Sequence, residues 1–270
     1  MDDDLDELGL LDDEEIELDR AALTLSALDH EGADLEPYHD LLDDIADRLE
    51  EVAEEADTLE KQARALKQVL GDEYGFIGDA VGYGAPVNAD LIRVLDRKQG
   101  LPVSLSILYV SAARRMGWSA WALNTPGHVL VRLGDKRFML LDPFHGGKAV
   151  TQAELAKLVQ GFAGPDAPVR PEYLAPIPNR AVLVRLLTNQ ASRALQGGDI
   201  DRALAVHDRM TRIAPEYPDV WWALAQLQVS QGDAEGARAS LSAMLEITRD
   251  EDHRRAATDL LARLAQGLGN

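Results

Sequence analysis

The chain has 270 residues, of which 46% are apolar, so it can build a core of ordinary size in one large domain or two smaller ones. Its net charge is -20 and it contains no cysteine, which excludes disulfides, thiolate metal sites and thiol nucleophiles. No run of about 18 apolar residues occurs, and the amino terminus is acidic where a secretory signal is basic. We therefore expect a cytoplasmic protein with no membrane interaction.

The acidity is concentrated in the first 60 residues, which hold 25 acidic and 2 basic side chains against 22 and 25 in the remainder. Such a block repels phosphate backbones, and no Lys/Arg stripe follows it, so no nucleic-acid partner is expected. The acidic block can be a solvated arm or a docking segment for a basic protein, and both interpretations remain open. Residues 1–36 are expected to form an acidic, flexible segment, although Leu8 and Ile16 also allow a docked helix.

Apolar residues recur at spacings of three and four between Leu41 and Leu70, which predicts one or two amphipathic helices that stop at Gly71. A glycine-rich loop follows. Asn88 is then predicted to cap a helix that runs to about Gln99.

Residues 103–116 are apolar on most sides, which is typical of a helix buried in a core. Three strand-like runs separated by turns follow it: Trp118–Asn124, His128–Leu133 and Arg137–Leu141. Thr151 and Glu154 form a capping-box pattern at the start of a helix over Val150–Gln160. Residues 37–160 are therefore predicted to form an α+β domain of helices and an antiparallel sheet.

Residues 161–178 hold five prolines and are predicted to be a linker, or a loop wrapped on the core. Beyond them, Gly198-Asp199 and Gly232-Asp233 lie 34 residues apart, the period of tetratricopeptide repeats. Residues 179–270 are therefore predicted to be an all-α module of two repeats and a capping helix.

Three aromatic residues of this module are candidate protein-binding residues: Tyr217, Trp221 and Trp222. Their helical spacing also fits packing between the repeats, so both interpretations stay open.

The segment 97–150 contains GLPVSLSILY at 100–109, PGHVLVRL at 126–133 and LDPFHGG at 141–147. Together with Pro86-Val87-Asn88 upstream and the repeats downstream, these motifs resemble the SirB1 family. The resemblance implies a core with the fold of transglutaminases and papain-like cysteine proteases, followed by tetratricopeptide repeats.

In active enzymes of that fold a cysteine begins a buried helix, a histidine begins a following strand, and an aspartate ends the next strand. The resemblance places Ser104, His128 and Asp142 at these three positions. A helix amino terminus lowers the pKa of a thiol, the imidazole takes its proton, and the carboxylate fixes the imidazole tautomer. Serine breaks this scheme because an alkoxide forms far less readily than a thiolate.

Each candidate residue also has a structural interpretation. Ser104 is a normal residue to cap a helix, and His128 and Asp142 can form a structural hydrogen-bonded pair. Asn88 can be a cap or an oxyanion-hole donor. His145 is assigned no role, and no metal site or cofactor is expected because no metal-ligand cluster or nucleotide-binding loop is recognisable.

The sequence therefore favours a non-catalytic interaction or scaffolding protein with a protein or peptide partner. The alternative is a serine-dependent hydrolase or acyltransferase that uses Ser104, His128 and Asp142. The family name suggests transcriptional regulation, but no DNA-binding element is visible. A further hypothesis is that the acidic first 60 residues occupy the protein's own groove, so that deleting residues 1–35 raises partner affinity.

Overall fold

The computed structural model of this protein describes residues 2–267. Residues 13–186 form one compact unit, the core unit, and the described parts of 1–12 and 187–270 form a second, the repeat unit. The helices are α1 Asp2–Leu10, α2 Leu18–Ala27, α3 Glu36–Val52, α4 Leu59–Leu66, α5 Leu91–Arg97, α6 Pro102–Arg115, α7 Gln152–Ala163, α8 Asn179–Gln196, α9 Ile200–Ile213, α10 Pro218–Ser230, α11 Ala234–Ile247 and α12 Glu251–Ala265. The strands are β1 Ile77–Gly78, β2 Gln99–Gly100, β3 Ala120–Leu123, β4 Leu130–Leu133, β5 Met139–Asp142 and β6 Lys148–Val150.

Helix α6 is the centre of the core unit. Its residues from Pro102 to Ala113 are all buried, because α2, α3, α4 and α5 and strands β3 and β4 pack around it. A helix surrounded in this way needs apolar or small side chains on every side, which explains why its sequence lacks a polar stripe. The predicted buried helix is confirmed.

The sheet is an antiparallel meander in the order β3-β4-β5-β6. Leu123 pairs with Leu130, and Val131 pairs with Leu141, as expected for three consecutive strands joined by tight turns. Strand β6, where Lys148 pairs with Asp142, was not predicted, because three residues with an exposed lysine give no clear alternation.

A second, two-residue ladder positions the start of α6. Strand β1 pairs in parallel with β2, with Ile77 opposite Gln99. The amide of Asp79 donates to the carbonyl of Gly100 at 3.2 Å, which ties the glycine-rich loop to the residues immediately before α6. The loop predicted from the glycines is therefore anchored at the amino terminus of the central helix.

The helix predicted to stop at Gly71 continues past it, because α4 runs into a π-helix over Lys67–Glu73. Gly71 is needed for close packing instead. A Cβ on Gly71 would lie 2.3 Å from the carbonyl oxygen of Gly146, so the π-helix and the turn after β5 approach each other closely.

The proline-rich segment belongs to the core unit and does not join the two units. Ala122 accepts a hydrogen bond from the amide of Ile177 at 3.1 Å, and Leu123 bridges to Pro176. Tyr173 and Leu174 pack against a cluster that includes Leu123, Leu130, Leu140, Leu155 and Val159. This corresponds to the loop wrapped on the core, not to the linker over residues 161–178.

The amino-terminal segment is not the flexible arm expected for residues 1–36. In the repeat unit, Leu5 and Leu8 of α1 are buried and α1 packs on α9, where Asp6 forms a 2.9 Å ion pair with Arg212. In the core unit, α2 packs on α5 and α6 and buries Leu23 and Leu25 completely. Most apolar residues of the two helices are buried, although Leu10 at the end of α1 is exposed, so burial outweighs the charge.

The repeat unit has the predicted helical-pair arrangement. Asp199 and Asp233 occupy equivalent positions, each accepting a hydrogen bond from the backbone three residues later at the start of α9 and α11. The second pair and α12 share a buried cluster that includes Ala225, Leu241 and Leu260. The predicted α+β core followed by an all-α tetratricopeptide module is confirmed. Within residues 2–267, no helix has the length and apolar character needed to cross a membrane.

Candidate functional site

The meander brings His128 and Asp142 together. His128 lies just before β4 and Asp142 ends β5, and the register of these neighbouring strands sets the two side chains on one end of the sheet. The Nε2 atom of His128 lies 2.9 Å from Oδ1 of Asp142, and the two side chains are 12% and 6% exposed. The predicted pair is therefore present in the core unit.

Asp142 also organises the turn that follows it. Its Oδ1 accepts a hydrogen bond from the amide of Phe144, and its Oδ2 lies 2.7 Å from Nδ1 of His145. Burial disfavours the charged carboxylate, yet hydrogen bonds with the imidazoles of His128 and His145 hold the pKa of Asp142 below its usual value. A buried carboxylate thus holds one imidazole on each oxygen.

His145, which was assigned no role, is the residue that sequence reasoning missed. Its side chain is 60% exposed, whereas the other two members of the cluster are largely buried. The signal was the Asp-x-x-His spacing across a short turn, which places the two side chains three residues apart on one side of a 3-10 helix. The ligand atoms of His128, Asp142 and His145 all lie within 4.8 Å of one another, a spacing that can accommodate a metal ion.

Ser104 is fully buried at the third position of α6. Its hydroxyl accepts a hydrogen bond from the amide of Leu101 at 2.9 Å and donates to the carbonyl of Asn88 at 2.8 Å or of Leu101 at 3.1 Å. Among the described residues, no hydrogen bond joins this hydroxyl to His128. This geometry agrees with the helix-capping interpretation of Ser104, although Ser104 caps from the third position of the helix and not from the N-cap position.

Asn88 takes neither predicted role. The helix begins at Leu91, and Asp90 caps it by accepting a hydrogen bond from the amide of Arg93. The buried Asn88 side chain donates to Asp79 at 3.1 Å and to the carbonyl of Gly82 at 2.8 Å, and it accepts from Arg97 at 2.7 Å.

Asp79 and Arg97 complete this network, and sequence reasoning missed both. Their side chains form a 3.0 Å ion pair. Hydrogen bonds from the amide of Gly82 and from the Arg97 guanidinium lower the pKa of Asp79. The network fixes the backbone of Asn88, whose carbonyl accepts from Ser104, so it holds the first turn of α6 in place.

Comparison with known proteins now identifies the family. Residues 36–188 match the transglutaminase-like superfamily, and residues 194–264 match a tetratricopeptide repeat family. A UPF0162 protein of Xylella fastidiosa (strain 9a5c) is 31% identical over 246 residues, covering 89% of this chain and 87% of the relative. A UPF0162 protein of Vibrio cholerae is 30% identical over 156 residues, 57% of each chain. This chain belongs to the UPF0162 family.

The UPF0162 family is SirB1-like, so the resemblance seen in the sequence is confirmed. The core also matches F-box only protein 21 of Homo sapiens, at 27% identity over 164 residues. That match covers 57% of this chain and 25% of the F-box protein.

A cavity of about 290 Å³ opens beside the cluster of this UPF0162 protein. Asp142, His145, Lys148 and Glu154 are among the residues that line it. The ammonium of Lys148 lies 2.6 Å from Glu154, and this hydrogen bond, with those from Thr151, holds the pKa of Glu154 at about 2. Lys148 and Glu154 therefore neutralise each other on the cavity wall, to which Lys157 adds an exposed positive charge. Of the three residues in the cluster, His145 is the most exposed.

The three aromatic candidates of the repeat unit are all half-buried. The indole nitrogen of Trp221 donates to the carbonyl of Pro215 at 2.9 Å, and both Trp221 and Trp222 pack against the cluster shared by α10, α11 and α12. Tyr217 is the N-cap residue of α10. Much of their surface therefore serves packing within the repeats, and the remainder is open to solvent.

Proposed function

We propose that this UPF0162 protein is a non-catalytic, cytoplasmic interaction protein in which a transglutaminase-like core serves as a recognition surface. The observation that carries the proposal is the state of the Ser104 hydroxyl. It is fully buried, and its hydrogen bonds go to the backbone of the loop and helix that surround it.

A serine nucleophile requires a base within hydrogen-bond reach of its proton. The Ser104 proton is directed to a carbonyl, of Asn88 or of Leu101, and a carbonyl does not remove a proton from a hydroxyl. The hydrogen bond to Asp142 orients the imidazole of His128, but among the described residues no hydrogen bond joins either ring nitrogen of His128 to the Ser104 hydroxyl. Breaking the Ser104 hydrogen bonds would also uncap the first turn of α6, so activation of the hydroxyl carries a structural cost.

The repeats supply the second argument. Tetratricopeptide repeats bind extended segments or helices, and their presence favours a protein or peptide partner. Two repeats form a shallow surface, so we propose that the exposed parts of Tyr217, Trp221 and Trp222 contribute to it. Aromatic side chains of this kind are common anchors at protein interfaces.

The alternative is a serine hydrolase or acyltransferase, which the His128–Asp142 hydrogen bond favours. A fluorophosphonate probe tests it directly, because the probe forms a covalent bond with activated serines. We expect no labelling of the wild type above that of Ser104→Ala and Ser106→Ala. Labelling or ester hydrolysis that is lost in Ser104→Ala and kept in Ser106→Ala would overturn the proposal.

The interaction itself is tested in the full-length protein with a photo-crosslinking amino acid at Tyr217 or Trp222. Arg64, which lies in the core unit, is the control position. We expect crosslinks to a discrete protein from positions 217 and 222 and weaker ones from position 64. Equal, diffuse crosslinking from all three positions would contradict the assignment of the repeats as the binding surface.

A further inference from the structure

We propose that His128, Asp142 and His145 bind one divalent transition-metal ion, with Zn²⁺ the best match to the ligand set. Two imidazole nitrogens and one carboxylate oxygen converge within 4.8 Å of one another at the end of the sheet. Zinc sites that keep an open position use three protein ligands of this kind. The proposal is independent of the interaction role.

The ligand atoms lie within 4.8 Å of one another and would have to move to a common spacing to coordinate one ion. In a tetrahedral zinc site, ligand atoms lie about 3.3 Å apart, as follows from bonds of about 2.0 to 2.1 Å to nitrogen and oxygen. The two imidazole nitrogens now lie 2.9 Å and 2.7 Å from the oxygens of Asp142. A metal ion would take the place of the shared protons, and each neutral imidazole would keep its proton on the other ring nitrogen.

The surroundings hold two of the ligands firmly and leave the third adjustable. The amide of Phe144 fixes the Asp142 carboxylate at 3.0 Å. The ring of Phe144 contacts His128 edge to face, with centroids 5.9 Å apart. His145 is exposed and can rotate toward an ion without disturbing the core. Its position beside the 290 Å³ cavity leaves room for water or another exchangeable ligand in the open position.

Two lysines lie near the proposed ion. Lys148 faces Asp142, and its ammonium is paired with Glu154 at 2.6 Å, whereas Lys157 lines the same cavity as an exposed side chain. The pair His30–Asp90 shows what a purely structural arrangement needs: one imidazole on one carboxylate, at 2.6 Å. Asp142 holds two imidazoles, one of them largely exposed, and a buried carboxylate needs no exposed second histidine for support.

The test is zinc binding by tag-free, demetallated full-length protein, measured by competition with a fluorescent chelator and by metal analysis after dialysis. We expect one zinc per chain. His128→Ala, Asp142→Asn and His145→Ala should each weaken binding by at least about 10-fold, since even residues that only support metal ligands contribute that much. His30→Gln is the matched control and should bind zinc as the wild type does.

His145→Ala is the decisive variant because the side chain is exposed and its removal should leave the fold intact, which circular dichroism checks. Co²⁺ provides a second readout, since nitrogen and oxygen coordination in a tetrahedral site gives visible absorption that should disappear in His145→Ala. Failure of the wild type to retain zinc, or equal affinity in His145→Ala and His30→Gln, would overturn the proposal. Neither result would change the fluorophosphonate outcome, so the two proposals fail separately.

Discussion

The substitution Ser104→Ala separates a structural hydroxyl from a catalytic one. In the structure the hydroxyl accepts from the amide of Leu101 and donates to the carbonyl of Asn88, and it is fully buried. Alanine removes both interactions. Removing a nucleophilic hydroxyl that makes no structural hydrogen bond should leave the free energy of unfolding unchanged, whereas removing a capping hydroxyl should lower it.

The expected loss can be worked out from the remaining contacts. The amide of Leu101 also donates directly to the carbonyl of Asn88 at 3.1 Å, so neither backbone group is left without a partner after the substitution. The full penalty of a buried unsatisfied group is therefore avoided. Two net hydrogen bonds contribute about 1 kcal/mol each, so we expect a loss of about 1–2 kcal/mol in the free energy of unfolding.

Ser106→Ala is the matched control, because Ser106 lies on the same helix, is equally buried, and donates only one long hydrogen bond, 3.4 Å, to the carbonyl of Val129. Helix propensity favours alanine over serine at both positions by up to about 0.7 kcal/mol, so the difference between the variants is the informative quantity. Urea unfolding measures it, and hydrogen exchange at the Leu101 amide reports the local effect. If Ser104→Ala is as stable as Ser106→Ala and exchange at Leu101 is unchanged, the capping argument is wrong.

Three further predictions concern the rest of the molecule. Deleting residues 1–35 removes α2 with its fully buried Leu23, and a buried leucine contributes about 2–5 kcal/mol, so the core unit should unfold and lose its circular dichroism signal. A deletion variant that stays folded and binds its partner more tightly would instead support the groove hypothesis. Gly71→Ala should cost about 1–3 kcal/mol in urea unfolding because its Cβ would lie 2.3 Å from the oxygen of Gly146, and unchanged stability would mean that the turn yields freely. Burial lowers the pKa of His207, so as the pH falls below about 6.5 the unfolded chain takes up a proton before the folded protein does, and the free energy of unfolding should decrease. His207→Gln should flatten this pH dependence in urea unfolding. If the pH dependence is unchanged in the variant, other groups cause it.

Local pattern was enough to predict the centre of the core unit. The all-round apolar character of α6 and the alternation of three runs around two tight turns place a buried helix against a meander. His128 and Asp142 meet as a direct consequence, since each stands at the end of a neighbouring strand. Relationships of this kind depend on residues close in the chain, and sequence reasoning handles them well.

Contacts between distant segments could not be predicted in the same way. Asp19 lies far from Arg115 in the chain, yet a 2.5 Å ion pair between them joins α2 to the end of α6. The charge density of residues 1–36 predicts flexibility if counted as a whole, but stability depends on which face the few leucines occupy and on the partner that covers them. Asn88 was misassigned because the helix begins three residues later, at Leu91, and has its cap in Asp90.

The proposed non-catalytic role connects the serine at the start of α6 with the two histidines on Asp142. In a transglutaminase-like enzyme, the amino terminus of the central helix stabilises a thiolate, and the histidine must remain free to exchange a proton with it. Here the hydroxyl of Ser104 closes the first helical turn, so the helix terminus is satisfied by its own side chain. Under the proposed non-catalytic role, the His128–Asp142 pair has no thiol with which to exchange a proton, and Asp142 holds His145 as a second partner. The proposed metal site depends on the same arrangement, because the fold brings His128 and Asp142 together and the turn after β5 adds the imidazole of His145 to the carboxylate.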